Sequence, residues 1–381
     1  MAKITRNTKL KAISLFSGCG GMDLGIQGNF TFLDKTYKSL PFKVVYAVDN
    51  DPYATKIYNA NFKHQCETKD VRDMEIEKLP EHDILLGGFP CQSFSISAQN
   101  PPRLGFKDDR GKLFFEMVKV LKEKQPRFFI AENVKGLLSA NKKKAFPMIV
   151  KEFEKAGYYV KHQLFNSSEY GIPQKRERIF IIGFKNYEDF TYFKFPSPTT
   201  LNGSKVKLKE VIDLKANKDD KWFFSERAVQ GMMRVREKMN KGRDQDPEQP
   251  CNTISSHLAK VSLNSTDPVL KIDGRYRRFT PREASNIQSF PEDFILDSVS
   301  DNRQYRAIGN AVPPVLMWHI SNSLSDLVEK NSNTEKANAK SHTHLQFAPA
   351  NAKPKIVKEY DFANASKFTE LKPAGNNVYK Q

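Results

Sequence analysis

Three reactive side chains sit at the ends of short apolar runs. Cys91 follows Asp83-Ile-Leu-Leu-Gly-Gly-Phe-Pro, Glu132 follows Arg127-Phe-Phe-Ile-Ala, and Arg178 closes Gln174-Lys-Arg-Glu-Arg, just ahead of Ile-Phe-Ile-Ile-Gly. A thiolate can add to an electron-poor carbon. A carboxyl partly withdrawn from water keeps its proton to higher pH and can donate it, and a guanidinium stabilises charge that develops during a reaction. Pro90 fixes the backbone next to the sulfur and small polar residues follow it, so the Cys91 thiol is expected to face a cleft. Cys66 and Cys251 lack that setting and read as inert buried thiols, and Cys19 as a small space-filler. The bland reading of Glu132 is a buried acid that caps a helix.

A second chemistry lies at the start. Ala12-Ile-Ser-Leu-Phe-Ser-Gly-Cys-Gly-Gly-Met-Asp-Leu-Gly runs from a strand into a turn with glycines at 18, 20, 21 and 25. Without side chains such a turn lets a ligand lie against backbone N–H groups, and by itself it could serve a dinucleotide, S-adenosylmethionine or nothing. Two acidic strand ends follow, Val48-Asp49-Asn50-Asp51 and Lys69-Asp70-Val71, the first about where a ribose diol is held in nucleotide-binding sheets. Neither GxGxxG nor a P-loop lysine is present, which favours an adenosyl ligand over a dinucleotide or a triphosphate.

The elements that must position these groups read as an α/β domain of Rossmann-like type, with a mostly parallel sheet. Strands are predicted at Ala12–Leu15, Val44–Val48, Ile84–Leu86, Phe128–Ala131 and Ile179–Ile182, and helices at Asp51–Asn61, Lys112–Lys124 and Phe146–Ala156. Ligands bind such sheets at the carboxyl ends of the strands, where Cys91 and Glu132 fall. Arg178 precedes its strand, so it joins them only if that strand runs antiparallel to its neighbours, and the reading predicts this reversal. Gly105-Phe-Lys-Asp-Asp-Arg-Gly-Lys is a candidate mobile loop over the site.

Residues 1–184 are read as the catalytic domain and 185–274 as a smaller, lysine-rich domain. Residues 275–330 form a return segment, with a helix over Thr280–Phe294 and another starting after Pro313-Pro314. Past Lys330 a polar tail is expected to be mobile, apart from one possible short strand at Ile356–Phe362. Of 381 residues, 39% are hydrophobic and 28% charged, which suits a folded core and excludes a wholly disordered chain. No apolar run is long enough to span a membrane and no signal peptide is evident, so a cytoplasmic protein with no membrane partner is expected. The four scattered cysteines give neither a disulfide framework nor a metal site. A net charge of +17 points to a polyanion, nucleic acid first.

A thiolate, a proton donor and a methyl donor together fit one problem. C5 of cytosine is a poor nucleophile until a thiol adds at C6. An acid at N3 and an arginine at O2 would stabilise the resulting enamine. The thiol must reach a ring face, so the base has to leave the duplex.

With these residues in place the chain resembles the DNA (cytosine-5)-methyltransferases of bacterial restriction–modification systems, over about 12–184 and 275–327. Phe16-Ser-Gly-Cys-Gly-Gly is similar to the family's cofactor loop, Gly88-Phe-Pro-Cys-Gln to its nucleophile motif, and Glu132-Asn-Val and Gln174-Lys-Arg-Glu-Arg to its acid and arginine motifs. Tyr276-Arg-Arg-Phe-Thr-Pro-Arg-Glu-Ala and Ile308-Gly-Asn-Ala-Val-Pro resemble the elements that organise the recognition domain and complete the cofactor pocket. The resemblance implies Cys91 as nucleophile, Glu132 at the cytosine edge, and Arg178 at the base or its backbone, with Arg176 nearby as a further catalytic candidate. It implies an S-adenosyl-L-methionine site of Phe16, Gly18, Gly20, Gly21, Asp49, Asn50, Asp70, Val71, Pro90, Asn310 and Val312. Several relatives carry an aromatic where this chain has Asn50, so adenine stacking is expected to fall to Phe16 and Val71. No metal is implied. Double-stranded DNA is the expected partner of a monomer, with a cognate endonuclease as functional companion.

The resemblance fades over 185–274, where a target-recognition domain is expected. Arg227, Arg234, Arg236, Arg243, His257 and Lys260 are candidates there for DNA contacts, with Gln92 and Ser95 beside the nucleophile; each is also readable as a solvated side chain. Rival readings are a transfer RNA cytosine-5 methyltransferase, a silent DNA-binding module and, more remotely, a nicotinamide oxidoreductase.

Overall fold

The structure, a computed structural model, describes residues 9–90, 109–200, 205–239, 243–258 and 267–341. Side chains of 109–112, 235–239 and 331–341 are outside that description. Residues up to Asn333 belong to one compact unit.

In the first half the chain forms β1 (Leu10–Leu15), α1 (Gly21–Gln27), β2 (Phe30–Phe32), β3 (Lys35–Tyr37), β4 (Phe42–Asp49), α2 (Pro52–Asn61), β5 (Cys66–Thr68), β6 (Ile84–Gly87), α3 (Asp109–Lys124), β7 (Phe128–Val134), α4 (Ala145–Lys155), β8 (Tyr159–Asn166), β9 (Gln174–Lys175) and β10 (Glu177–Phe184). Thereafter come α5 (Tyr187–Tyr192), α6 (Glu226–Met239), β11 (Cys251–Asn252), β12 (Leu270–Ile272), β13 (Arg275–Arg277), α7 (Pro281–Ile287), α8 (Asp301–Asn310) and α9 (Pro314–Ser341). Every strand and helix predicted for the first half is present, with ends shifted by a few residues.

Seven strands make the central sheet, in the order β5-β4-β1-β6-β7-β10-β8. All are parallel through β7; β10 then runs antiparallel to both β7 and β8, the predicted reversal. The central strand β6 and the first four residues of β7 are apolar without a break because both faces are covered. Phe128 and Ile130 pack on one side while Phe129 and Ala131 pack on the other, and Ile84 and Leu86 against Leu85 repeat the alternation. Helices α3 and α4 supply Phe114, Met117, Val120, Leu121, Ile149 and Phe153 to one core. The opposite core holds Met22 and Ile26 of α1 together with Ile287, Ile308, Val315, Leu316 and Ile320. The return segment therefore packs on the catalytic sheet.

Three elements depart from the sequence reading. The edge strand β8 went unrecognised because only Phe165 of it is buried and its alternation is weak. The helix expected over Thr280–Phe294 stops at Ile287, since Ser289 takes a left-handed backbone (φ +66°) and Pro291 follows. Helix α9 runs past Lys330 to Ser341, through Glu, Lys and Ala that favour helix, so the expected tail does not begin at Lys330. The possible strand at Ile356–Phe362 lies outside the described residues. Among the described residues, no helix is long and apolar enough to cross a membrane.

Candidate active site

A cavity of about 540 Å³ opens at the carboxyl ends of β1, β4, β6 and β7. Its walls carry Phe16, Gly18 and Gly21 from the first turn, Asp49, Asn50 and Asp51 after β4, Asp70 and Val71, then Gly88, Phe89 and Pro90 after β6. Glu132 and Asn133 at the end of β7, Arg176 and Arg178 before and in β10, and Arg306, Asn310 and Val312 from the return segment complete it.

The first turn is held open from below. Phe16 and Gly18 both have φ +57°, and a Cβ on Gly18 would meet nothing within 4 Å, so this glycine presents bare backbone to the cavity. Asp49 fixes it: one carboxylate oxygen accepts from Gly18 N–H and the other from Asp51 N–H, each at 2.8 Å. Burial raises the Asp49 pKa, offset by those two N–H groups. Asp51 caps α2 by accepting from Tyr53 N–H at 3.0 Å, with Pro52 at the first helical position. Asp70 caps the turn Val71–Asp73 and pairs with Arg72 at 2.7 Å, which lowers its pKa. Gly20 is the exception among the cofactor candidates. Its missing Cβ would lie 2.3 Å from the Phe62 ring, so this glycine is required by packing behind the turn and does not line the cavity.

The acid and the first arginine meet across two strands. Glu132 lies opposite Phe180 in the β7–β10 register, and Arg178 Nε reaches Glu132 Oε1 at 2.9 Å, both side chains being only 12% exposed. Burial raises the Glu132 pKa, and Arg178 and then Arg176 pull it partway back. Asn133, buried beside it, donates to Phe89 O at 3.0 Å and so ties the end of β7 to the turn that leads to position 91. The bland alternative, an acid that caps a helix, does not describe Glu132, which lies within a strand. Cys91, Gln92, Ser95 and the loop residues 105–108 lie outside the described residues; Pro90, immediately before the thiol, lines the cavity. The other three cysteines are buried, as read, and burial pushes the Cys19 thiol up to about 12.

Arg176 reaches the cavity wall but its hydrogen bonds serve the fold. It is 1% exposed and donates to Ile254 O at 3.0 Å, Gly309 O at 3.0 Å and Ala311 O at 2.9 Å. Gln174 next to it donates to Gln288 Oε1 at 2.7 Å and accepts from Ile254 N–H at 2.9 Å. The arginine motif thus clamps three later segments together, while Arg176 also reaches the cavity wall near Glu132 and Arg178. Sequence reasoning missed Arg306 and Asn133. The Glu132-Asn-Val triplet held the signal for the second, and nothing local marks the first.

Of the DNA-contact candidates, Arg227 and Arg234 are exposed on α6 and His257 is exposed after β11. Arg243 differs: it is half-buried and donates to Asp267 O at 2.8 Å, a clasp within the segment. The Arg236 side chain and Lys260 lie outside the description. Of these, the described Arg227, Arg234, Arg243 and His257 do not line the cavity.

A family model described as C-5 cytosine-specific DNA methylase matches residues 10–326. The chain is 32% identical over 327 residues to the Type II methyltransferase M.Bsp6I of Bacillus sp. (strain RFL6), covering 83% of this chain and 98% of that one. It is 35% identical to M1.ScrFI of Lactococcus lactis subsp. cremoris, over 85% of this chain and 80% of the relative. Among solved structures, the Entamoeba histolytica methyltransferase EhMeth superposes with a TM-score of 0.65 at 17% identity, covering 84% of this chain and 99% of that chain. The S. pombe Dnmt2 methyltransferase gives 0.62 at 19%, over 85% and 99%. These two likenesses concern the fold.

Proposed function

The chain belongs to the C-5 cytosine-specific DNA methylases and is a DNA (cytosine-5) methyltransferase of the type II restriction–modification kind; from that premise we propose that it methylates one cytosine of a short duplex site, flipped out of the helix, through a covalent adduct of Cys91. The observation that carries the reading is the buried Glu132–Arg178 pair on the wall of a cavity whose other wall is the bare glycine turn.

The cavity fits S-adenosyl-L-methionine. Gly18 leaves its approach clear, Asp49 and Asp70 supply acceptors for hydroxyl and amino groups, and Phe16 and Val71 supply apolar surface. Gly21, Asn50, Pro90, Asn310 and Val312 would complete the contacts. When bound it supplies an electrophilic methyl group.

The protein's own residues prepare the acceptor. Cys91 adds as a thiolate to C6 of cytosine. Glu132, whose burial raises its pKa, donates a proton to N3, and Arg178 stabilises charge at O2 while holding the Glu132 carboxyl in place. C5 then carries the electron density that takes the methyl group. Loss of the C5 proton to solvent, departure of sulfur from C6 as the thiolate and return of the N3 proton to the Glu132 carboxylate leave 5-methylcytosine and the starting side chains.

Extruding the base costs a few kcal/mol, which phosphate contacts offset. The net charge of +17 provides for such contacts, and residues 185–274, with the exposed Arg227, Arg234 and His257, are proposed to read the site. A cognate endonuclease would cut the same site when it is unmodified.

The test is sequencing of plasmid DNA after bisulfite treatment, from a methylation-deficient host carrying either this protein or its Cys91→Ala variant. C5 marks at one short motif, present only with the unaltered protein, are expected. Equal marks in both samples would exclude Cys91 as nucleophile, and no marks in either would exclude duplex DNA as the substrate in that host.

A further inference from the structure

Among the described residues that wall the cavity, Arg306 is a cation that is mostly exposed and ion-paired at the rim. Arg306 on α8 has a side chain 54% exposed, and its Nε approaches Asp51 Oδ2 at 3.3 Å. The Asp51 side chain is 20% exposed and also caps α2, so the guanidinium is the mobile partner of a pair whose rearrangement costs little. The helix beneath it is fixed: Arg303, three residues earlier, stacks on Tyr53 of α2 at 3.9 Å from the ring centroid.

The surroundings of Arg306 restrict what it can meet. Asp49, Asn50 and Asp51 form the adjoining wall, and Asp70 lines the same cavity. These carboxylates repel an anionic ligand group, so the methionyl carboxylate of a bound cofactor is disfavoured at this end. A neutral purine is not. Phe16 and Phe89 are the aromatic side chains among the described residues of the cavity wall, and position 50 is an asparagine, so a purine that packs on Phe16 and Val71 finds no further ring at that position. A guanidinium is flat, stacks on aromatic faces and is weakly hydrated, which makes it a fitting surface for that purpose.

We propose that Arg306 is a specificity residue for the nucleoside end of the cofactor, its guanidinium moving from Asp51 to lie against the adenine where this chain carries Asn50. The proposal rests on the S-adenosyl-L-methionine reading of the cavity. It assigns to α8 of the return segment a recognition task that the motifs of the first half do not perform.

The measurement is equilibrium binding, by calorimetry and without DNA, of S-adenosylmethionine, S-adenosylhomocysteine and 5′-deoxy-5′-methylthioadenosine, which lacks the amino-acid portion. Arg306→Ala should weaken all three by one common factor of about 5- to 30-fold. Arg306→Lys keeps the charge without the plane and should also weaken all three alike; it carries the test by itself should the alanine variant fail to fold. The proposal is overturned if methylthioadenosine binds Arg306→Ala as it binds the unaltered protein while the other two weaken, which would put the arginine on the carboxylate. Unchanged binding of all three overturns it as well, as does a lysine variant indistinguishable from the unaltered protein. If the unaltered protein binds none of the three, the cofactor reading itself fails, and this inference with it.

Discussion

Arg178 and Glu132 are 46 positions apart in sequence and 2.9 Å apart in space, joined because β10 runs against β7. The antiparallel register sets Val134 opposite Arg178 and Glu132 opposite Phe180, so the guanidinium reaches back along the edge to the carboxylate. The pair lies 12% exposed on each side, where the two charges hold one another against the cost of burial.

That balance determines a pH profile. Glu132 has a raised pKa from burial, moderated by Arg178, and it donates its proton, so activity should fall as pH rises through that value. Replacing Arg178 by Gln removes the charge that favours the carboxylate. The alkaline limb of kcat should then move to higher pH while the maximum drops, and a limb moving to lower pH would contradict the assignment. Glu132→Gln should lower kcat by about 10²- to 10⁴-fold with cofactor affinity little changed.

Arg176 makes a prediction about folding. Arg176→Met would take the arginine's hydrogen bonds from the carbonyls of Ile254, Gly309 and Ala311, of which Ala311 keeps Gln288 as a donor at 3.3 Å, and the loss should be at least about 2 kcal/mol in denaturant unfolding. Arg176→Lys keeps a charge but cannot span three acceptors in the same way, and should recover only part. A methionine variant as stable as the parent would show that the clamp is not needed.

Two of the glycines that line the cavity, Gly18 and Gly21, should respond differently. A Cβ on Gly21 would lie 2.2 Å from Val312 O, so Gly21→Ala must push the first turn away from the return segment. Cofactor affinity is expected to fall tenfold or more, about 1.4 kcal/mol. Gly18→Ala meets no atom, and its stability cost should be only the strain of a left-handed backbone, about 1 kcal/mol. Calorimetric binding and thermal unfolding of both variants distinguish contact from strain.

Asp23, wholly buried under the glycine turn, accepts from Tyr58 OH at 2.8 Å and Ser14 Oγ at 3.0 Å, yet burial pushes its pKa up to about 6. Its unfolded value is near 3.9, so folding is favoured by the protonated form. The stability it contributes is fully present below about pH 4 and is lost as pH rises through about 6, by some 2–3 kcal/mol. Asp23→Asn should remove that slope, read as the difference in unfolding free energy between pH 4.5 and 7 against the unaltered protein. Identical slopes would mean that Asp23 does not titrate in this window.

Much of the catalytic half was legible in one dimension. Apolar runs ending in Gly-Cys-Gly-Gly, Gly-Phe-Pro-Cys and Glu-Asn-Val mark strand ends, because a strand covered on both faces must be continuously apolar and its polar residues collect where it emerges. The reversal of β10 was also legible, since it alone brings an arginine lying before its strand to the edge where the acid emerges. The length of α9 and the early end of α7 were set by local chemistry that outweighed the hydrophobic pattern: helix-forming residues past Lys330 in one case, a left-handed Ser289 and Pro291 in the other.

What the sequence by itself determined is the set of groups and the edge they share: short-range pattern decides where strands begin and end, and topology rules decide which ends converge. Only the tertiary structure decided how the basic side chains divide their work. Arg176, Arg178, Arg243 and Arg306 are alike as residues, but one clamps three carbonyls, one pairs with the acid, one clasps its own segment, and one stands at the rim of the cavity. An arginine's role depends on which acceptors lie within its reach. Those acceptors are here mostly backbone carbonyls and carboxylates from distant parts of the chain, brought near by packing that no local spacing encodes.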